Sequence, residues 1–228
     1  TSKVVNMYGM FWNTKVTTLD LSSFSTSNVT DMSFMFNGSE AATIKGLKKF
    51  NTSKVTNMNG MFSATQLSTL DLSNFNTSSV TNMQTMFSGC MALKTLDLSG
   101  FNTINVITMR TMFNNCKALT TIYVSEFNAE TSTGWTTTAV TNSTSMFSNC
   151  TNIIGGNGTT YNNNITDKTY AVIDTATTPG YLTNINKNKK INRLISASRV
   201  APTGKYLNST IIKNKIERRK KNGRKKKW

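Results

Sequence analysis

The dipeptide Met-Phe recurs along this chain at a nearly constant interval. Its six copies begin at Met10, Met35, Met61, Met86, Met112 and Met146. The intervals between them are 25, 26, 25, 26 and 34 residues. A period in this range is typical of repeat proteins, in which each repeat forms one coil and buries its apolar face against its neighbours. The period therefore predicts a solenoid, and it favours a binding surface over a catalytic pocket.

The positive charge of the chain is concentrated at one end. Of the 26 Lys and Arg residues, 16 lie in residues 187–228, together with a single acidic residue. Residues 1–186 carry 10 basic and 9 acidic residues, so they supply only +1 of the total net charge of +16. The tail therefore predicts contact with a polyanion, whereas the nearly neutral body does not.

The sequence pattern predicts neither a transmembrane segment nor a signal peptide within these residues. No apolar run approaches the roughly 18 residues that span a bilayer, and the first residues lack the charged-then-apolar order of a signal peptide. Residues 5–11 belong to a repeat but lack the strand that precedes the same motif in later repeats. We therefore expect Thr1 to be a cut end, with any targeting signal upstream of it.

Alignment of the repeats predicts a structure for the segment around Met-Phe. In the fullest repeat, Val80, Met83, Met86 and Phe87 recur at the spacing of one helical face. Gly89 follows them at a position that suits the end of a helix. The pattern predicts a helix of about two to three turns in each repeat.

A short strand is predicted after each of these helices. Apolar and polar residues alternate in the segments 19–21, 70–72, 96–98 and 122–124. Each strand should pair in parallel with its counterpart in the next repeat. The second repeat has Lys45 where the others have Leu or Ile. We therefore expect its strand to be irregular.

Several strings give the repeat a specific resemblance. They are NVTDMSFMF, KVTNMNGMF, SVTNMQTMFSGC and LDLSNFNTSSV. These strings resemble the BspA-like leucine-rich repeat of about 25 residues, which is found in surface proteins of Firmicutes, mycoplasmas and related bacteria. Residues 155–174 and 179–183 resemble the segment that closes such arrays. The resemblance covers roughly residues 3–186.

This resemblance implies an α/β repeat, a right-handed leucine-rich-repeat solenoid with short parallel strands and short helices and 25–26 residues per coil. Residues 1–154 would form the solenoid, 155–186 its closing segment, and 187–228 a basic tail. The family implies a location at the cell surface or secretion, and adhesion to a host or environmental protein or glycan. It brings no catalytic residue, cofactor or small-molecule substrate.

Two aromatic residues are the first candidates for a binding surface. Tyr123 occupies the outward strand position that Asp holds in three earlier repeats, and an eight-residue insertion between Phe127 and Val140 carries Trp135. Exposed aromatic side chains contribute strongly to binding, so this pair predicts an anchor for a glycan or a protein. The alternative is that Trp135 folds back over the neighbouring helix and covers the edge left by the insertion.

Acidic and cysteine residues offer weaker candidates for a metal site. Asp71 and Asp97 should lie about 5 Å apart if their strands are adjacent, which would suit a cation or, alternatively, a solvated face. Cys90, Cys116 and Cys150 each follow the Phe of a Met-Phe pair by three residues and predict a buried column. Without His or a Cys-x-x-Cys motif, we predict no zinc site and no cofactor.

The sequence lacks the usual signatures of catalysis. There is no His to act as a general base, and no GxSxG, P-loop or dinucleotide motif is present. No two acidic residues of the body stand in a context that predicts a glycosidase pair. We therefore predict a non-enzymatic protein rather than a glycan-processing enzyme.

The basic tail gives the alternative function, in which the chain binds wall polymer, anionic lipid or nucleic acid and the repeats act as a spacer. A helix from Ser209 would place Ile211, Ile212 and Ile216 on an apolar strip against such a surface. A disordered charge run is the other interpretation, because most of the tail lacks apolar periodicity. The candidate contacts are Arg218, Arg219, Lys220, Lys221, Arg224, Lys225, Lys226 and Lys227.

Overall fold

Successive repeats lie side by side and bond to one another through equivalent residues. The computed structural model describes residues 1–186, and Thr1–Ile185 form one compact unit. We number the repeats 1 to 6 by their Met-Phe pairs. Parallel bridges join the residues five positions before each Phe of these pairs, namely Asn6, Asp31, Asn57, Asn82, Thr108 and Asn142. The chain is therefore a repeat fold rich in parallel β-structure.

Residues 1–186 contain five short strands. They are β1 (Thr18–Asp20), β2 (Thr43–Lys45), β3 (Thr95–Asp97), β4 (Thr121–Val124) and β5 (Leu182–Asn184). The first two form a parallel pair, and the other three form a parallel sheet in the order β3, β4, β5. Thr18 lies opposite Thr43, and Thr95 lies opposite Thr121, each one repeat further along. The predicted pairing of counterparts is confirmed for repeats 1 and 2 and for repeats 4 and 5.

Repeat 2 forms a regular strand, so the irregular strand predicted there was wrong. Ile44 lies opposite Leu19, and Lys45 lies opposite Asp20. Gly46 comes directly after the strand, and its φ of 89° lets the chain turn out of the strand. A 3₁₀ helix, Leu47–Lys49, follows it. The turn at Gly46 therefore follows β2 and leaves its register intact.

Repeat 3 contains the irregular strand instead. Its residues 70–72, predicted to pair with both neighbours, belong to neither sheet. Phe62 and Phe75 are 13 positions apart, whereas the equivalent Phe residues of repeats 2 and 4 are 14 apart. The same spacing of 13 separates Phe11 from Phe24 in repeat 1, whose strand pairs with β2, so the shorter spacing alone does not account for the unpaired strand.

The predicted helix around Met-Phe was wrong, because the main chain of this segment bonds to the next repeat. In repeat 4, three alternate N–H groups donate to carbonyl oxygens at 2.7–2.9 Å, namely Thr85 to Arg110, Phe87 to Met112 and Gly89 to Asn114. Positive φ values of 51° at Thr85 and 73° at Gly89 also exclude an α-helix. The segment is a series of tight turns, repeated at the same positions in each repeat.

The Phe residues of the Met-Phe pairs form a continuous aromatic column through the core. Adjacent ring centroids are 5.3–6.0 Å apart, and adjacent ring planes differ by 3–16°. The Met residues of repeats 2 to 6 are fully buried beside this column, whereas Met10 of repeat 1 is exposed. The Met-Phe pairs of repeats 2 to 6 therefore form the core of the array.

The end of the repeat array is covered by residues 155–185. The buried ring of Tyr181 packs edge-on against Phe147, with centroids 5.1 Å apart. The buried carboxylate of Asp174 accepts hydrogen bonds from the main-chain N–H groups of Asn157 and Thr159 at 2.6 and 3.0 Å. Burial raises the pKa of Asp174, but these hydrogen bonds outweigh burial and leave the pKa below its usual value.

Candidate functional site

Tyr123 lies at the centre of the three-stranded sheet. It is half-buried in β4, opposite Asp97 of β3 on one side and Thr183 of β5 on the other. Asp97 accepts a hydrogen bond from the N–H of Ser99 at 2.9 Å. The sheet therefore brings together two of the predicted surface residues, Tyr123 and Asp97, as neighbours across a strand pair.

Asp71 is paired with a lysine rather than with another carboxylate. Its Oδ2 lies 2.8 Å from Nζ of Lys48 in repeat 2, and its Oδ1 accepts from the N–H and hydroxyl of Ser73. The hydrogen bond from Lys48 lowers the pKa of Asp71 to about 2. Asp71 lies outside both sheets, so no strand pairing sets it beside Asp97. Among residues 1–186, no group of three or more His, Cys, Asp or Glu is arranged to hold a metal ion.

Trp135 is part of the core, so its prediction as an exposed anchor was wrong. Its side chain is only 6% exposed, and its indole Nε1–H donates to the main-chain oxygen of Ala171 at 2.9 Å. The insertion therefore folds back, as in the alternative interpretation, but onto the closing segment and not over a helix. Trp135 is buried because its indole is large and apolar, and because the Ala171 oxygen in the closing segment accepts the indole N–H.

The three cysteines form the buried column that their spacing predicts. Each is a free thiol whose Sγ donates to the carbonyl oxygen of the Phe one repeat earlier, namely Cys90 to Phe62, Cys116 to Phe87 and Cys150 to Phe113, at 3.0, 2.9 and 2.8 Å. Burial raises the pKa of Cys90 to about 12. The hydrogen bond with Cys150 and burial raise the pKa of Cys116. Protonated, enclosed thiols of this kind are poor nucleophiles and poor metal ligands.

An exposed aromatic cluster, which sequence reasoning missed, lies in repeats 1 and 2. It consists of Tyr8, Trp12 and Phe34. The rings of Trp12 and Phe34 are stacked with centroids 5.9 Å apart, and Tyr8 meets both edge-on at 6.4 and 5.8 Å. Tyr8 is 53% exposed and Trp12 is 49% exposed. This aromatic cluster is an open surface of stacked rings.

Core packing does not require aromatic residues at these positions. In repeats 2 to 6, the position of Tyr8 holds Ser33, Asn59, Gln84, Arg110 and Thr144. The position of Trp12 holds Asn37, Ser63, Ser88, Asn114 and Ser148. Two outward positions that are otherwise polar are therefore aromatic in repeat 1. A comparison of outward positions, rather than of apolar ones, would have found this signal in the sequence.

Phe34 joins the aromatic cluster from the positive-φ position that recurs in every repeat. Its φ is 55°, at a position that glycine fills in repeats 1 and 3, as Gly9 and Gly60. A Cβ atom at Gly60 would lie 2.6 Å from the Phe34 ring, so the absence of a side chain there makes room for the ring. Thr85, Thr111 and Ser145 have the same positive φ at the equivalent position, so this conformation belongs to the repeat and is not specific to the aromatic cluster.

Two clefts open on other parts of the surface. The first, which we call the strand cleft, has a volume of about 400 Å³ and lies between residues 42–49 of repeat 2 and residues 67–71 of repeat 3. The second, of about 560 Å³, is lined by Ser, Asn and Thr side chains of repeats 3 to 5 and by Glu126. Its amides already bond within the protein, since Asn102 donates to the Ser132 oxygen at 2.9 Å.

The remaining predicted contacts lie outside the described residues. These are the tail residues Arg218, Arg219, Lys220, Lys221, Arg224, Lys225, Lys226 and Lys227, with the possible apolar strip before them. Within residues 1–186, the structure contains no helix that is both long and apolar enough to cross a membrane.

Comparison with known families identifies the repeat. A match to the family described as "Mycoplasma protein of unknown function, DUF285" is found over residues 1–66, 37–153 and 122–185. No curated protein and no solved structure matches the chain. The three matched regions overlap and together span the repeats and their closing segment. The chain therefore belongs to the DUF285 family.

Proposed function

We propose that this chain is a non-catalytic binding module of the cell surface that recognises carbohydrate through the aromatic cluster of Tyr8, Trp12 and Phe34. In this proposal the repeats form a right-handed solenoid of the BspA-like leucine-rich-repeat type. The observation that carries the proposal is the stacked, exposed cluster on a surface that is otherwise built from Ser, Thr and Asn.

The regular spacing of the repeats supports the solenoid. Equivalent residues bond across repeats that are 25 or 26 residues apart, and the Phe column runs through all six repeats. Such an array buries a continuous core and leaves its outward positions free to vary. Function in repeat proteins is accordingly carried by outward side chains, which here are Tyr8 and Trp12.

The chemistry of the cluster favours carbohydrate. One face of a pyranose ring carries aliphatic C–H groups, which pack on the electron-rich face of an aromatic ring, while its hydroxyl groups need donors and acceptors nearby. The outward positions of repeats 2 and 3 next to the cluster supply the partly exposed amides of Asn37 and Asn59. These side chains are uncharged, so they suit a neutral sugar better than a polyanion.

A glycan array with the full chain tests the proposal. The comparison is between the unaltered protein, the double variant Tyr8→Ala/Trp12→Ala and the matched control Phe127→Ala, which removes a partly exposed ring elsewhere. We expect saturable binding that persists at physiological salt, survives in Phe127→Ala and is lost in the double variant. Binding that the double variant retains would contradict the proposed site.

The alternative function, binding of a polyanion through residues 187–228, rests on their 16 basic residues against one acidic residue. A full-chain variant in which the eight candidate tail contacts are replaced by Gln distinguishes polyanion binding from carbohydrate binding. Polyanion binding would fall steeply with salt and would be lost in this tail variant. Carbohydrate binding at the aromatic cluster would be unchanged in it.

A further inference from the structure

The parallel sheet of this protein is interrupted in its middle. β2 is bonded only to β1, and β3 only to β4, so repeat 3 separates two strand edges. Within residues 66–71, no main-chain N–H group donates to a carbonyl of a neighbouring repeat. The main-chain groups of this segment, and those on the outer edge of β2, therefore have no strand partner along the strand cleft. Such groups are a template for an added strand.

The interruption affects only one side of the repeats. On the turn side, repeats 2 and 3 remain joined by the same N–H to carbonyl bonds as the others, including Phe34 to Asn59 at 2.7 Å and Phe36 to Met61 at 2.9 Å. The Phe36 and Phe62 rings also remain stacked at 5.4 Å. The strand cleft is therefore a fixed opening between two well-anchored repeats, because the turn side holds its walls in place.

Apolar side chains line this opening. Ile44 on one wall and Leu70 on the other are only partly buried. The equivalent residues of repeats 1, 4 and 5 are Leu19, Leu96 and Ile122, and all three are buried. The cleft therefore exposes two side chains that the repeat normally covers, and its volume of about 400 Å³ is in the range of ligand sites.

Positive charge lies at one end of the strand cleft. Lys45, Lys48 and Lys49 are exposed within five residues of each other. The acids beside them are Asp71, paired with Lys48 at 2.8 Å across the cleft, and Asp20, opposite Lys45. The lysines outnumber the acids, so this end favours an acidic side chain on a partner.

We propose that the strand cleft binds an extended peptide by strand addition. The peptide main chain bonds to the open edge of β2 and to residues 69–71, one apolar side chain packs between Ile44 and Leu70, and an acidic residue lies near Lys49. Main-chain bonds provide affinity in this mode, and the alternating side chains provide selectivity. This site is separate from the aromatic cluster and takes a different class of ligand.

Amide exchange and peptide titration of the ¹⁵N-labelled full chain test this proposal. The probe is an N-acetylated, C-amidated peptide of alternating valine and threonine that ends in glutamate. In the free protein, the amides of residues 69–71 should exchange faster than those of β3, and the peptide should slow them. The same peptide with methylated valine nitrogens should bind at least about tenfold more weakly, because methylation removes main-chain donors.

Variants locate the binding. Leu70→Asp puts a charge into the cleft and should abolish peptide binding, whereas Ile107→Asp, at an exposed Ile outside the cleft, should leave it unchanged. The methylated peptide tests the proposal on the unaltered chain, whatever the stability of Leu70→Asp. Slow exchange of residues 69–71 in the free protein, or equal binding of the methylated and unmethylated peptides, would overturn the proposal.

Discussion

The indole Nε1–H of Trp135 donates a hydrogen bond to the main-chain oxygen of Ala171 at 2.9 Å. This bond joins the insertion of repeat 5 to the segment that covers the end of the array. Both residues are buried, so the bond is shielded from water. The sequence predicted this insertion to be an exposed loop. In the structure it packs between the repeats and the closing segment.

Trp135→Phe should lower the free energy of unfolding by about 1–3 kcal/mol, because the ring stays buried while the Ala171 oxygen loses its donor. The control is Trp12→Phe, which makes the same change on the surface and should shift stability by less than about 0.5 kcal/mol. Urea unfolding followed by far-UV circular dichroism measures both. Equal effects of the two variants would contradict a buried role for Trp135.

Gly46→Ala should be much more harmful than Gly158→Ala, although both glycines have positive φ. A Cβ atom at Gly46 would lie 2.6 Å from main-chain atoms of Leu21 and Ser22, whereas a Cβ atom at Gly158 meets nothing within 4 Å. We expect a loss of about 1 kcal/mol at Gly158 and about 2–4 kcal/mol at Gly46. Thermal and urea unfolding of the two variants measure the difference. Similar losses of unfolding free energy would show that β2 can move to accommodate the added Cβ atom.

Phe87→Ala should remove one ring from the aromatic column and cost about 3–5 kcal/mol, because the fully buried site leaves a cavity. Phe127→Ala, at a partly exposed ring, should cost less than about 1 kcal/mol. The midpoints of urea unfolding give the comparison. A small effect at Phe87 would mean that the neighbouring rings collapse into the space.

Asp174 should make the stability of the closing segment depend on pH. Its pKa is lowered in the folded protein, so its contribution is present above its unfolded pKa of about 4 and is lost as pH falls through the lower folded value. Unfolding measured from pH 6 to pH 2 should therefore show less acid sensitivity in Asp174→Asn than in the unaltered chain. Parallel curves for the two proteins would rule out this contribution.

The cysteine column should resist thiol reagents in the folded state. Burial and the raised pKa values of Cys90 and Cys116 keep these thiols protonated and enclosed. Titration with a disulfide reagent at pH 8 should modify none of the three cysteines of the chain before unfolding and all three in guanidinium. Fast reaction of any thiol in the folded protein would contradict the buried column.

The sequence alone determined the repeat, its core and much of its pairing. The interval between Met-Phe pairs predicted equivalent positions, and those positions became the Phe column, the buried Met residues and the thiol column. The alternation around Leu19 and Leu96 predicted β1 and β3. These features follow from local pattern, because each repeat must bury the same apolar side chains against its neighbours.

Tertiary structure decided what the main chain of the turn segment bonds to. The spacing of Val80, Met83 and Phe87 fits a helix, yet the N–H of Phe87 donates to Met112 in the next repeat. Bonds between repeats and residues at positive φ took the place of bonds within a helix, and no single repeat contains the partner. Helical spacing alone therefore does not separate a helix from a regular series of turns.

The functional surface was likewise decided by contacts that are distant in sequence. Trp135 is buried because Ala171 meets it, and Tyr8 and Trp12 stay exposed because their positions point outward from the repeat. The strand cleft arises because residues 70–72 of repeat 3 pair with neither neighbouring strand, a feature that exists only once the repeats lie side by side. The period of the sequence determined the repeat array, and packing between the repeats decided which side chains remain exposed to solvent.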